Sequence, residues 1–162
     1  MPFQLEVPIA RPPSVVFAYL ADATNTPVWY EAVHSADRLD DGPADGPVRL
    51  GSRYRLQRRL PGLDAVNVVE VTELETDSLY TLTSVEGPTP FRYRYRLTPA
   101  PRGGTLLRLT GEIRGDGLAG RAAVFAALAQ NLIARGMRTN LERLQSILEQ
   151  GGDPGQRGLT AR

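Results

Sequence analysis

The chain opens with one alternating strand and two short helical stretches, passes through a run of strands joined by tight turns, and closes on one long helical pattern. That order constrains the fold more than any other feature. Strands joined by a few residues pair antiparallel, and a single amphipathic helix must bury its apolar stripe against one face of the resulting sheet. A curved sheet and a single helix cover each other incompletely, and the gap between them suits a ligand.

The first strand is read from Phe3, Leu5, Val7 and Ile9, which alternate with Gln4, Glu6 and Pro8. Pro8 cannot donate to a sheet ladder, so it marks an edge or an irregularity. Pro12 and Pro13 stop the strand, and Pro13 opens a helix that carries Val16, Phe17 and Leu20 on one face and ends near Ala21. Asn25 or Thr26 can cap a second helix with Pro27 at its first position, expected to run through Trp29 and Tyr30 to about Val33. Residues 40–51, DDGPADGPVRLG, are rich in Gly and Pro and read as a surface loop.

Strand patterns follow at 52–60, 65–75, 79–86, 91–98 and 105–114, separated by turn residues such as Pro61-Gly62 and Gly87-Pro88. Alternation is cleanest in FRYRYRL, which puts Phe91, Tyr93, Tyr95 and Leu97 on a dry face and Arg92, Arg94 and Arg96 on a wet one. The strand at 65–75 allows two registers, because Val66 and Val68 could face inward with Glu70, or Val69 and Val71 could. Helical spacing runs from about 118 to 149. Its apolar residues are Phe125, Leu128 and Leu132 before Gly136, and Met137, Leu141, Leu144 and Leu148 after it. The stripe shifts around the axis there, so a kink at Gly136 is expected.

Composition narrows the class. At 162 residues, one domain over 1–150 is expected, with a disordered tail at 151–162 that has too few apolar residues to order itself. The absence of Cys excludes disulfide and thiolate chemistry, and with His34 the only histidine no His-based metal centre can form; no motif calls for a cofactor. A reducing compartment, the cytoplasm, is expected, without a leader or a membrane span. Net charge is +1, which gives no global pull toward nucleic acid. All nineteen basic residues are Arg, as codon bias in a GC-rich bacterial genome would produce.

The stretches IARPPSVVFAYLADATNTPVWYEAV, YRYRLTPAPRGGTLLRL and LERLQSILE, with the spacing between them, resemble the START-related ligand-binding superfamily, SRPBCC, and within it the bacterial polyketide cyclase/dehydrase-like group. The resemblance covers about residues 3–149. It implies an α+β helix-grip fold: a seven-stranded curved antiparallel sheet around the long C-terminal helix, with two short helices after the first strand. Members of the superfamily bind lipids, sterols, plant hormones or polyketides, and some catalyse cyclisation or dehydration.

Several side chains could carry the function. In YRLQRRL, Tyr54, Leu56 and Arg58 share a face, so Arg58 either points inward to meet a polar ligand group or snorkels to water near the turn at Pro61. Tyr54, Tyr80, Tyr93 and Tyr95 can each give a ring to an apolar pocket and a hydroxyl to orient a ligand. Trp29 is either near a pocket entrance, as the resemblance implies, or a packing anchor. With Phe125, Leu128 and Leu132 of the long helix, these residues form the candidate site.

His34 is the one side chain that titrates near neutral pH unaided, and a cap or surface role competes with a general-base role. The wet-face arginines, with Glu73, Glu75 and Glu112 to offset them, read as a solvated face. The expected function is therefore binding of a small, largely apolar molecule in a cavity of about 300–1,000 Å³ between sheet and helix. A polyketide cyclase or dehydratase is one alternative, and a protein that docks a macromolecule through its Arg face is another; a homodimer is left open.

Overall fold

The computed structural model describes residues 2–41, 43, 46–60, 63–88, 90–114 and 121–151, with 60, 63 and 121–130 described by their backbone alone. Strand β1 (Phe3–Ile9) leads into α1 (Pro13–Leu20), a 3-10 turn (Ala23–Asn25) and α2 (Thr26–Trp29). Strands β2 (Val33–Arg38), β3 (Arg53–Leu60), β4 (Leu63–Glu75), β5 (Leu79–Glu86), β6 (Phe91–Ala100) and β7 (Gly104–Ile113) follow, and α3 (Arg121–Gln150) ends the fold. The seven strands form one antiparallel sheet in the order β1-β7-β6-β5-β4-β3-β2. This is the helix-grip arrangement, a consecutive meander closed at one side by the return of β1 to β7.

Two expectations from the sequence need correction. The second helix does not reach Val33. Tyr30 takes an extended conformation after its N–H closes the last turn on the Thr26 carbonyl at 2.8 Å, and Val33 begins β2. That strand is the seventh, and His34 lies within it rather than at a helix end. Its register on β3 slips between Val33 and Ser35, so His34 sits at a bulge and breaks the alternation that would have revealed a strand. The long helix is continuous through Gly136 as one element. The turn at Pro61-Gly62 and the tail from 152 lie outside the described residues.

The register of β4 is settled by its partners. Val69 stands opposite Tyr54 and Val71 opposite Leu82, so Ala65, Asn67, Val69 and Val71 face the core, while Glu70 faces outward and pairs with Arg53 at 2.8 Å. Register shifts at Val68/Val69 and at Val71/Glu73 leave Val85 and Thr72 without partners across the β4–β5 ladder. Bulges of this kind bend a sheet and increase its twist.

The core lies between the concave face of the sheet, α1 and the second half of α3. Val16, Phe17 and Leu20 of α1 and Met137, Leu141, Leu144 and Leu148 of α3 are all buried. The end of α3 is also tied to the edge strand, where Gln145 Nε2 donates to the Pro8 carbonyl at 2.6 Å and Glu149 Oε1 accepts from the Ala10 N–H at 2.8 Å. Those side chains satisfy edge groups that would otherwise be open to a further strand.

At the opposite edge, Arg38 is nearly buried and grips Asp40 with two hydrogen bonds of 2.8 Å, while its Nη1 donates to the Gly46 carbonyl at 2.6 Å. The pair pins the polar loop against β2. The hydrogen bond from Arg38 lowers the Asp40 pKa to about 2 from 3.8. A carboxylate with a depressed folded pKa stabilises the fold fully above its unfolded value and loses that contribution as pH falls through the folded one. Stability should therefore decline between about pH 4 and pH 2 in part through Asp40. Asp40→Asn should cost about 2 kcal/mol at neutral pH and flatten that acid limb, as chemical denaturation across pH will measure.

Candidate functional site

Three strands aim side chains at one region of the concave face. From β3 come Leu56 and Arg58, from β5 Tyr80 and Leu82, and from β6 Phe91, Tyr93 and Tyr95; Trp29 and Tyr30 close it from the α2 end. Between them is an enclosed space of about 20 Å³, room for one water-sized group. The space is this small because the aromatic rings expected to line a cavity extend into it and fill it. Tyr80 stacks on Tyr95 with centroids 6.0 Å apart, Trp29 on Tyr30 at 5.8 Å, and Phe91 lies 4.7 Å from Tyr93.

The larger concavity is an open cleft of about 730 Å³ between Tyr30–His34, the end of β3 and the middle of α3. Leu132, Ile133, Gly136, Met137 and Asn140 form its helical wall. Tyr30 and Arg58 line both the cleft and the enclosed space, so these two side chains stand between them. Asn140, itself buried, accepts from the Glu31 N–H at 3.2 Å and so ties α3 to the segment after α2.

Arg58 points inward and is 5% exposed. Its guanidinium carbon lies 4.8 Å from the Phe91 ring centroid, a cation–π contact, and Nη1 approaches Asn67 Oδ1 at 3.5 Å. Asn67 is fully buried, and its Nδ2 donates to Ser84 Oγ at 3.0 Å and the Glu86 carbonyl at 3.3 Å. The turn after β5 presses on this amide. Gly87 has φ +118°, and a Cβ there would come within 2.5 Å of Asn67 Nδ2, so only glycine fits. A polar network thus holds a charged side chain in an apolar wall, and sequence reading missed Asn67. Its signal was the alternation of Asn67 with Val69 and Val71, obscured by the competing register.

Burial pushes the phenols of Tyr80 and Tyr93 well above the ordinary value and raises that of Tyr95 as well. They are therefore neutral O–H groups at physiological pH, suited to donate to a ligand oxygen rather than to act as phenolate bases. Tyr93 and Tyr30 hydroxyls lie 3.5 Å apart, a long hydrogen bond. The Tyr80 hydroxyl and the Trp29 Nε1 are buried without a protein hydrogen-bond partner.

Of the residues singled out from sequence, Trp29, Leu56, Arg58, Tyr80, Tyr93 and Tyr95 gather around the enclosed space. Tyr54 is buried in the core but does not line it, since it sits a step further along β3. Leu132 is 68% exposed at the cleft. The side chains of Phe125 and Leu128 lie outside the described residues, as do those of the alanines near them. His34 lines the cleft from β2 and is exposed. Among the described residues, no group of His, Asp and Glu is placed to hold a metal, and no helix is long and apolar enough to cross a membrane.

On the convex face Glu73 accepts from Thr81 Oγ1 at 2.7 Å and lies 3.1 Å from both Arg92 and Arg94, while Glu6 accepts from Arg108 at 2.6 Å. Glu73, rather than Glu75 or Glu112, thus offsets the centre of the arginine row.

The family model described as polyketide cyclase / dehydrase and lipid transport matches residues 2–149. Among solved structures, the chain is similar to the Zhui aromatase/cyclase from Streptomyces sp. R1128, with a TM-score of 0.76, 16% identity, and coverage of 96% of this chain and 98% of that one. A START superfamily protein from Mycobacterium smegmatis aligns with a TM-score of 0.71 and 16% identity over 92% of this chain and 97% of the other. A Thermus thermophilus protein gives 0.66 and 20% identity, with coverage of 92% and 94%. These superpositions show a common fold. No curated protein matches the sequence.

The polar network and the unpartnered hydroxyl make opposite predictions. Asn67→Leu should cost about 2 kcal/mol in a urea melt, because Ser84, Glu86 and Arg58 each lose a partner. Tyr80→Phe should leave stability unchanged or raise it by up to about 1 kcal/mol, since it removes a buried hydroxyl that has no protein acceptor. A clear loss on Tyr80→Phe would mean that the hydroxyl is bonded.

Proposed function

The chain belongs to the polyketide cyclase/dehydrase and lipid transport family, and from that premise we propose that it binds a small, largely apolar molecule bearing one or two polar groups, a lipid or polyketide-like compound. The molecule lies in the cleft along α3, with one end directed past Tyr30 and Arg58 toward the inner aromatic cluster. The observation that carries this reading is the shared wall, in which one cation and one phenol line both the 730 Å³ cleft and the enclosed space. Burial of apolar ligand surface, worth about 25 cal/mol per Å² before ordering costs, supplies the affinity. Arg58 or a tyrosine hydroxyl supplies the orientation.

A cyclase or dehydratase is the second reading. In its favour, neutral phenols and a guanidinium share an apolar wall, where hydrogen bonds to a developing enolate oxygen count for more than in water. The protein would then hold a flexible poly-carbonyl chain in a reactive fold, and Arg58 or a tyrosine would polarise a carbonyl. Either activity suits the cytoplasm, where a chain without cysteine has no disulfide to lose.

Native mass spectrometry of freshly purified protein should find a retained small molecule, and a neutral naphthylamine fluorophore should bind and be displaced by it. Gly136→Leu separates the cleft from other sites. A Cβ at Gly136 meets nothing within 4 Å, so leucine can enter the cleft without a clash. Replacing a helical glycine should raise stability by about 0.5–1 kcal/mol while the filled cleft loses the fluorophore. A more stable variant with undiminished binding would place the ligand elsewhere.

A further inference from the structure

We propose that the enclosed space between Trp29 and Tyr80 is a subsite for one neutral carbonyl oxygen, carried on the inner end of the molecule that occupies the cleft. The subsite rests on the ligand-binding reading above and specifies the ligand's chemistry. Trp29 is 2% exposed and Tyr80 1% exposed, and both line the space. The indole Nε1 can only donate, and the Tyr80 hydroxyl can donate as well. Neither has a protein partner. One unpaired buried donor is costly, and two carried by residues that line one small space call for an acceptor there.

The dimensions select the acceptor. About 20 Å³ takes one oxygen-sized group. A carbonyl oxygen has two lone pairs and can accept from both donors at once. Two neutral donors suit a neutral acceptor, since the charge of Arg58, which also lines the space, is already met by Asn67 and the Phe91 face. Arg58, engaged with Asn67 and Phe91, stands at the boundary with the cleft, so the rest of the ligand passes it while the carbonyl goes deeper. The site therefore selects for a ketone or aldehyde at the end of an apolar body.

A matched pair of probes tests the assignment: 2-acetylnaphthalene and 2-ethylnaphthalene, nearly equal in shape and different in the one oxygen. The wild-type protein should bind the ketone roughly tenfold more tightly, and Tyr80→Phe should abolish most of that preference while leaving the hydrocarbon's affinity unchanged. Trp29 is the only tryptophan, so its indole N–H gives a single resonance in a 15N-labelled sample. That resonance should move downfield with the ketone and not with the hydrocarbon, a readout that needs no variant to fold. Equal binding of the two probes with an unmoved indole would overturn the subsite alone and assign the space to a resident water or to plain packing. Failure of both probes to bind would overturn the ligand-binding reading and the subsite with it.

Discussion

The structure depends on the contact between the second half of α3 and the concave sheet. Met137, Leu141, Leu144 and Leu148 carry that contact, and the hydrogen bonds from Gln145 and to Glu149 fix the helix end against β1. A helix anchored through its last turns carries the preceding stretch, residues 131–136, past the end of β3, where the sheet leaves a cleft open. Leu132 and Gly136 are exposed at the cleft for that reason, within three turns of the fully buried Leu141. Packing at the end and an open cleft at the middle are two results of one crossing.

The same geometry explains how a guanidinium can be buried. Arg58 would be expensive in an apolar wall without compensation. Compensation comes from a relay: the Gly87 turn crowds Asn67, Asn67 is held by Ser84 and the Glu86 carbonyl, and its Oδ1 meets Arg58 from one side while the Phe91 face meets it elsewhere. Residues of β3, β4, β5 and β6 all take part. The charge is thus positioned by sheet pairing, and small slips in that pairing would move it.

How much of this was legible depended on whether a pattern reported one neighbour or several. FRYRYRL needs only the distinction between core and water, and its burial alternates as written. β2 has the sequence VHSADR, whose apolar content is low and whose bulge at His34 breaks the period, so its strand character comes from pairing with β3 and not from its own residues. The register of β4 was ambiguous for a related reason: valines occupy both faces, and only the partners Tyr54 and Leu82 decide between them. Side-chain depth was the least accessible property. Alternation correctly turns Tyr80, Tyr93 and Tyr95 inward, but whether rings line a space or fill it depends on their rotamers and stacking, which no linear pattern encodes.

The division of α3 into an anchored half and a cleft-facing stretch also bears on how such a protein can change over generations. Leu141, Leu144 and Leu148 answer to the fold, whereas Leu132 and Gly136 are exposed at the cleft and are scarcely constrained by packing. Substitutions far apart and without shared partners act nearly independently. A lineage could therefore alter what the cleft admits through a few positions in one and a half helical turns, with the hydrophobic anchor untouched and without passing through unstable intermediates.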